Sequence, residues 1–171
     1  MKPSIRYQGI FETHLPVSDL RRSADFYEGT LGLTFAHGDD RGARFYWIGA
    51  RGDAMLGLWK TDPAKIGRRH FAFRTTSEEL PGVIATLRGR GVKLRNFRDE
   101  ETAEPLVFGW MPAEAIYFDD PDGHSLEFIA MLPGRPKPEL GVVTKEEWLR
   151  AADEAPMINP ASGKVTSRSG N

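Results

Sequence analysis

Residues 8–17 run QGIFETHLPV, placing Ile10, Glu12 and His14 on one side of an extended strand and Phe11, Thr13 and Leu15 on the other, because alternate residues face opposite ways. Pro16 is expected to end its regular pairing. The period then changes. Ser18-Asp19 offers an N-cap, Leu20, Ala24, Tyr27 and Leu31 recur at helical spacing, and Gly32 suits the left-handed position that closes a helix. Short strands are predicted at 33–37, 43–49 and 54–59, separated by the turn-forming groups Gly38-Asp39-Asp40-Arg41-Gly42 and Ala50-Arg51-Gly52-Asp53.

The same order then returns. RRHFAFRT at 68–75 alternates His70 and Ala72 with Phe71 and Phe73. A capping pattern at Ser77 precedes the stripe Leu80, Val83, Ile84 and Leu87, closed by Gly89 or Gly91. Strands at 92–98, 113–119 and 125–131 complete the set, with an insertion over Asp99–Met111. His14 and His70 lie 56 residues apart and Ser18 and Ser77 lie 59 apart, so the chain reads as a duplicated βαβββ module. The modules fall at about 7–60 and 67–131, inside one domain over 1–132.

From Leu132 onward LPGRPKPELGVV is too rich in proline for a central strand. Lys145–Ala152 predicts a short helix, capped by Thr144, with Trp148 and Leu149 docking on the body. Beyond Asp153 large apolar residues are few, and the segment is expected to be a mobile tail. Residues 133–171 are thus read as an arm and tail.

Charge and composition narrow the function. With 23 Lys+Arg against 24 Asp+Glu the net charge is −1, and both signs are mixed along the chain, so no basic field is available for a nucleic acid. No apolar run approaches the roughly 20 residues of a membrane span, and Met1-Lys2-Pro3-Ser4-Ile5-Arg6 lacks the apolar core of a secretory signal, so a cytoplasmic protein is expected. The absence of cysteine excludes disulfides, thiolate metal sites and cysteine nucleophiles together. Any metal must be held by imidazole nitrogen and carboxylate oxygen.

Three residues suit that role: His14 and His70 in the first strands of the two modules, and Glu127 in the last strand of the second. Two imidazoles and one carboxylate leave coordination positions open for water or substrate. A lone strand histidine is more often a hydrogen-bonded core or surface residue. Glu127 alternates with Leu126 and Phe128, so it either faces water on an open sheet face or is buried, and a buried charge must be paired, protonated or metal-bound.

The segments FETHLPVSDLRRSADFYEGTLGLTF (11–35), RRHFAFRT (68–75) and IYFDDPDGHSLEFIA (116–130) resemble the vicinal oxygen chelate superfamily of glyoxalases, fosfomycin-resistance enzymes, epimerases, extradiol dioxygenases and bleomycin-binding proteins. The resemblance spans residues 8–131. It implies an α+β fold in which paired βαβββ modules curl a mixed sheet around a metal-containing cleft, commonly in a homodimer. His14, His70 and Glu127 fall on three ligand positions. The fourth position of glyoxalase I, a carboxylate in the last strand of module one, matches Gly57, which is expected to leave space there. The His, His, Glu set resembles the fosfomycin-resistance group, although the threonine two residues after the first histidine is Pro16 here.

The implied function is a divalent-metal enzyme, using zinc, manganese, iron or nickel, that acts as a lyase, isomerase or transferase on a small oxygenated molecule. No residue is assigned as its base. The rival is a non-catalytic small-molecule or drug-binding protein like the bleomycin-resistance members. The turn Asp120-Pro121-Asp122-Gly123-His124 is read as aiming the final strand, with His124 and His37 outside the ligand set. Phe108, Trp110 and Met111 of the insertion are candidates for an apolar substrate wall.

Overall fold

A computed structural model describes residues 5–153, and the expected tail beyond Asp153 lies outside the described residues. The first module contains β1 (Glu12–Val17), helix α1 (Leu20–Ala24) continued by a wider π-type turn over Asp25–Thr30, and strands β2 (Thr34–Asp39), β3 (Ala43–Ile48) and β4 (Ala54–Lys60). The second contains β5 (His70–Thr75), α2 (Leu80–Gly89), β6 (Leu94–Arg95), β7 (Leu106–Phe108), β8 (Ala113–Asp119) and β9 (Ser125–Met131). The arm adds β10 (Val142–Thr144) and α3 (Lys145–Asp153). The structure therefore has the expected α+β class; the first module keeps the expected βαβββ order, and the second adds one short strand, β7, to it.

Each module places its first strand beside its last. In sheet one, ordered β1-β4-β3-β2, β1 runs parallel to β4; in sheet two, ordered β10-β7-β8-β9-β5, β5 runs parallel to β9. The first strands are consequently edges of separate sheets, not hydrogen-bonded neighbours. A common core joins the sheets: Leu15, Val17, Leu56 and Leu58 of the first pack with Phe73, Ile116, Phe118 and Leu126 of the second, around Tyr27, Leu80 and Leu87 from the helical segments. Burying such side chains contributes on the order of 1.5–3 kcal/mol each before the cost of ordering them.

Local chemistry explains where sequence and structure differ. Asp19 caps α1, its side chain accepting from the Arg21 and Arg22 N–H groups. At α2 the capping pair is Thr76 and Glu79, which exchange backbone and side-chain hydrogen bonds. Ser77 does not cap; its hydroxyl donates to buried Glu114, which also receives Lys145 Nζ at 2.9 Å. The expected strand over 92–98 is broken. Leu94–Arg95 pairs with one end of β8, and Leu106–Phe108, inside the insertion, pairs with the other. Pro16 does not end β1, because this is an edge strand and the proline's missing donor lies on the side away from β4.

That outward side of Pro16 is where the modules meet. His124, fully buried, accepts the Arg69 N–H at Nδ1 (3.0 Å) and donates from Nε2 to the Pro16 carbonyl (2.7 Å). One imidazole thus ties the end of β1 to the residue preceding β5. Asp120 holds this histidine by accepting the His124 N–H, and its other oxygen accepts the Tyr27 hydroxyl. Asp122 accepts from the Ser18 N–H and from Arg22.

The arm folds onto its own chain. Trp148 is buried with Val107 and Leu132, as expected for a docking helix, whereas Leu149 faces solvent. Thr144 and Glu147 form the cap of α3. His124→Ala would leave two partly buried backbone groups without their partner, at up to roughly 1–3 kcal/mol each. Urea unfolding is expected to show a loss of about 3 kcal/mol, well above that of a surface turn substitution.

Candidate metal centre

Glu127 is only 4% exposed, on the face of sheet two that it shares with Tyr117 of β8 and Ala72 of β5. His70 begins β5 and reaches it: Nε2 lies 3.2 Å from Glu127 Oε2. The other ring nitrogen, Nδ1, is 2.9 Å from the Ser125 carbonyl, to which it donates, so Nε2 is the nitrogen left for a ligand or proton. Tyr117 stacks against the imidazole with ring centres 6.0 Å apart. Burial pushes the Glu127 carboxyl above the usual range, opposed by His70 and the Tyr117 hydroxyl; the tyrosine is itself raised, first by burial and then by Glu127. Glu127 Oε1 is buried without a hydrogen-bond partner.

In sheet one His14 is paired in register with Gly57. Its ring lies directly over that glycine: a Cβ at position 57 would sit 2.6 Å from His14 Cδ2 and 3.0 Å from Nε2. The space expected at Gly57 is therefore filled by the imidazole. Phe45 and Trp59 flank the ring, with centres 6.0 and 5.8 Å away. His14 Nε2 is 2.9 Å from Glu12 Oε1, one strand period away on the same face. Trp59 Nε1 is also buried without an acceptor.

Two half-sites result, His70 with Glu127 and His14 with Glu12. Among the described residues no group of three or more His, Asp or Glu side chains gathers within one chain, so this fold brings His70 and Glu127 together and leaves His14 on the edge of the other sheet. The His70–Glu127 half nevertheless fits a divalent cation in chemistry: an oriented imidazole beside a buried carboxylate whose second oxygen has no partner.

Sequence reasoning passed over Glu12 and Tyr117. Glu12 was legible as alternation, two residues before His14, whereas Tyr117 stands opposite Glu127 only through the β8–β9 register. His37 stacks on Phe45 and His124 is committed to the backbone. Phe108 and Met111 pack with Ala115, Tyr117 and Ile129, forming an apolar wall on the Glu127 face, while Trp110 is exposed. A groove of about 560 Å³ beside Phe26, Arg90, Arg95 and Asp119 includes none of the three expected ligands.

Residues 9–128 match the family model described as Glyoxalase/Bleomycin resistance protein/Dioxygenase superfamily. An integron cassette protein from the mobile metagenome of the Halifax Harbour sewage outfall is 30% identical with a TM-score of 0.65, over 73% of this chain and all of that one (100%). A lactoylglutathione lyase from Agrobacterium tumefaciens is 20% identical with a TM-score of 0.57, covering 72% of this chain and 94% of its own. The fosfomycin resistance protein FosX from Listeria monocytogenes, solved with Mn(II) and sulfate, is 22% identical with a TM-score of 0.55, covering 74% and 93%.

Gly57→Ala is expected to drive the His14 ring off the β4 backbone. Its imidazole NMR resonances should shift while those of His70 stay in place, with a stability loss of about 1–3 kcal/mol typical of overpacking.

Proposed function

Since the chain belongs to the Glyoxalase/Bleomycin resistance protein/Dioxygenase superfamily, we propose that it is a divalent-metal-dependent enzyme of the glyoxalase and fosfomycin-resistance type acting on a small oxygenated molecule. His14, His70 and Glu127 hold the ion. The observation that carries this reading is the His70–Glu127 pair, with one imidazole nitrogen committed to the Ser125 carbonyl and one buried carboxylate oxygen left over. FosX, whose structure contains Mn(II), supports a metal on this fold. When bound, such an ion polarises a carbonyl, hydroxyl or epoxide oxygen of the substrate.

The protein's own groups do the rest. The Ser125 carbonyl fixes the His70 tautomer, the Tyr117 hydroxyl stands beside the Glu127 carboxyl, and the Trp59 N–H offers a dry donor to a substrate oxygen. Phe108, Met111 and Ile129 exclude water from the apolar side. The domain over 1–132 carries this site, and residues 133–171 are its arm and tail.

A homodimer completes the centre, the His14 half of one copy meeting the His70–Glu127 half of another. Two edge strands, β1 and β5, are open for such assembly, and Ile5, Tyr7, Ile10 and Phe11 expose apolar surface leading into β1. No described helix is long and apolar enough to cross a membrane.

Purified protein is expected to retain near-stoichiometric metal by emission spectroscopy and to show a dimer mass by light scattering. His14→Ala and Glu127→Ala homodimers should each lose metal, and complete subunit exchange between equal amounts should restore about a quarter of the shared sites, because about half of the dimers are then mixed and each mixed dimer holds both intact halves at one of its two centres. Failure of every divalent ion to bind would turn the reading to a non-catalytic small-molecule-binding protein.

A further inference from the structure

We propose that residues 5–11 are an exchange arm. The arm lies on a second copy of this chain, at the end of the second sheet marked by Trp110 and Met131, and closes that end of the partner's cleft with Ile10. The inference rests on the homodimer in the reading above and adds to it an interface segment, the surface that receives it and a lining residue supplied from the other copy.

The arm stands away from its own domain. Ile5, Tyr7 and Ile10 are 75%, 83% and 85% exposed and Phe11 is 52% exposed, so four large apolar side chains meet water within one short segment. A Cβ built at Gly9 would meet nothing within 4 Å. The hydrogen bond that ties this end of the chain to the body is the Met55 N–H donating to the Phe11 carbonyl, at the very start of β1. Single apolar residues on a surface are ordinary, but a contiguous run of them marks a surface that another molecule covers.

Strand direction selects the receiving surface. β1 and β5 are equivalent edges, each parallel to the last strand of its module. A local two-fold axis between the modules sets the β1 edge of one copy antiparallel to the β5 edge of the other, so the start of β1 meets the end of β5 and the residues before Glu12 overrun Thr75. At that end of the second sheet β9 finishes with Met131, opposite Ala113 at the start of β8. Met131 alternates onto the face of Glu127 and Ile129 and is 54% exposed, and Trp110, in the turn entering β8, is 59% exposed. One chain thus carries an apolar arm and a separate apolar surface, both open to water. Ile10 has the parity of Glu12 and His14, so it faces the cleft and covers the Met131 end. Four arm side chains and the surface they cover, taken over both copies, remove roughly 2,000 Å² from water, the size of a stable protein interface.

The test uses the full-length chain, which has no cysteine of its own to compete with engineered thiols. Protein carrying Ile10→Cys is mixed with protein carrying Met131→Cys, allowed to exchange subunits and mildly oxidised. A disulfide joining the two unlike chains is expected, whereas Ile10→Cys with Lys65→Cys, at the opposite end of β1, should give none. By sedimentation, Tyr7→Ser/Ile10→Ser should raise the dimer dissociation constant by about 100-fold or more. Circular dichroism should stay unchanged, because both side chains stand in solvent within one chain. Absence of the Ile10–Met131 cross-link, or a dissociation constant within ~3-fold of wild type, overturns the proposal while the homodimer stands. A doubly substituted chain, Ile10→Cys/Met131→Cys, that closes on itself at monomer mass also overturns it, placing the arm on its own domain. A wild-type chain that sediments as a monomer removes the homodimer itself, and the arm's exchange with it.

Discussion

The structure depends on one buried imidazole. Both histidine-bearing strands, β1 and β5, are sheet edges, and an edge strand has no second neighbour to fix its position. His124 provides that neighbour for both at once, taking the outward carbonyl of Pro16 and the N–H of Arg69. A donor and an acceptor partly withdrawn from water each need a partner, and a neutral imidazole is a side chain that offers one of each across its ring. The surrounding turn serves this placement. Asp120 anchors the His124 N–H, Gly123 takes the left-handed conformation at φ 80°, and Tyr27 reaches from the helical segment to hold Asp120.

Polar accounting separates scaffold from site. Glu114 is almost fully buried, yet its carboxylate is met by Ser77 and Lys145, so it locks the arm to the domain. Asp120 and His124 are likewise satisfied. Glu127 Oε1 and Trp59 Nε1 are not, and each belongs to one of the two half-sites; Ser23 Oγ of α1, also partnerless, belongs to neither. Buried groups without partners are costly in a finished fold, so their position on these faces marks where an incoming molecule would supply what the chain does not.

Much of this was legible in the chain because periodicity is local. The strands at 113–119 and 125–131 coincide with their expected bounds, since dense alternation between turn residues leaves one register. The break at residues 96–105 was not legible, because a two-residue strand followed by a three-residue one carries almost no pattern. The helix cap moved from Ser77 to Thr76 for a tertiary reason: Glu114 is remote in sequence but captures the serine hydroxyl. His14, His70 and Glu127 stood out by residue type, whereas their distribution between two sheets depends on strand order, which no single segment encodes.

That resting contact also limits how this sequence can drift. With the imidazole seated on the β4 backbone, any side chain at position 57 first meets the ring of residue 14. The two positions are therefore not independent: a carboxylate accepted at 57 presupposes an imidazole already swung away, and an imidazole swung away gives up its contact with Glu12. Changes made in one order pass through a crowded intermediate, and in the other through a loosened one. The glycine thus couples the two positions, so that a carboxylate at residue 57 and a seated imidazole at residue 14 exclude one another.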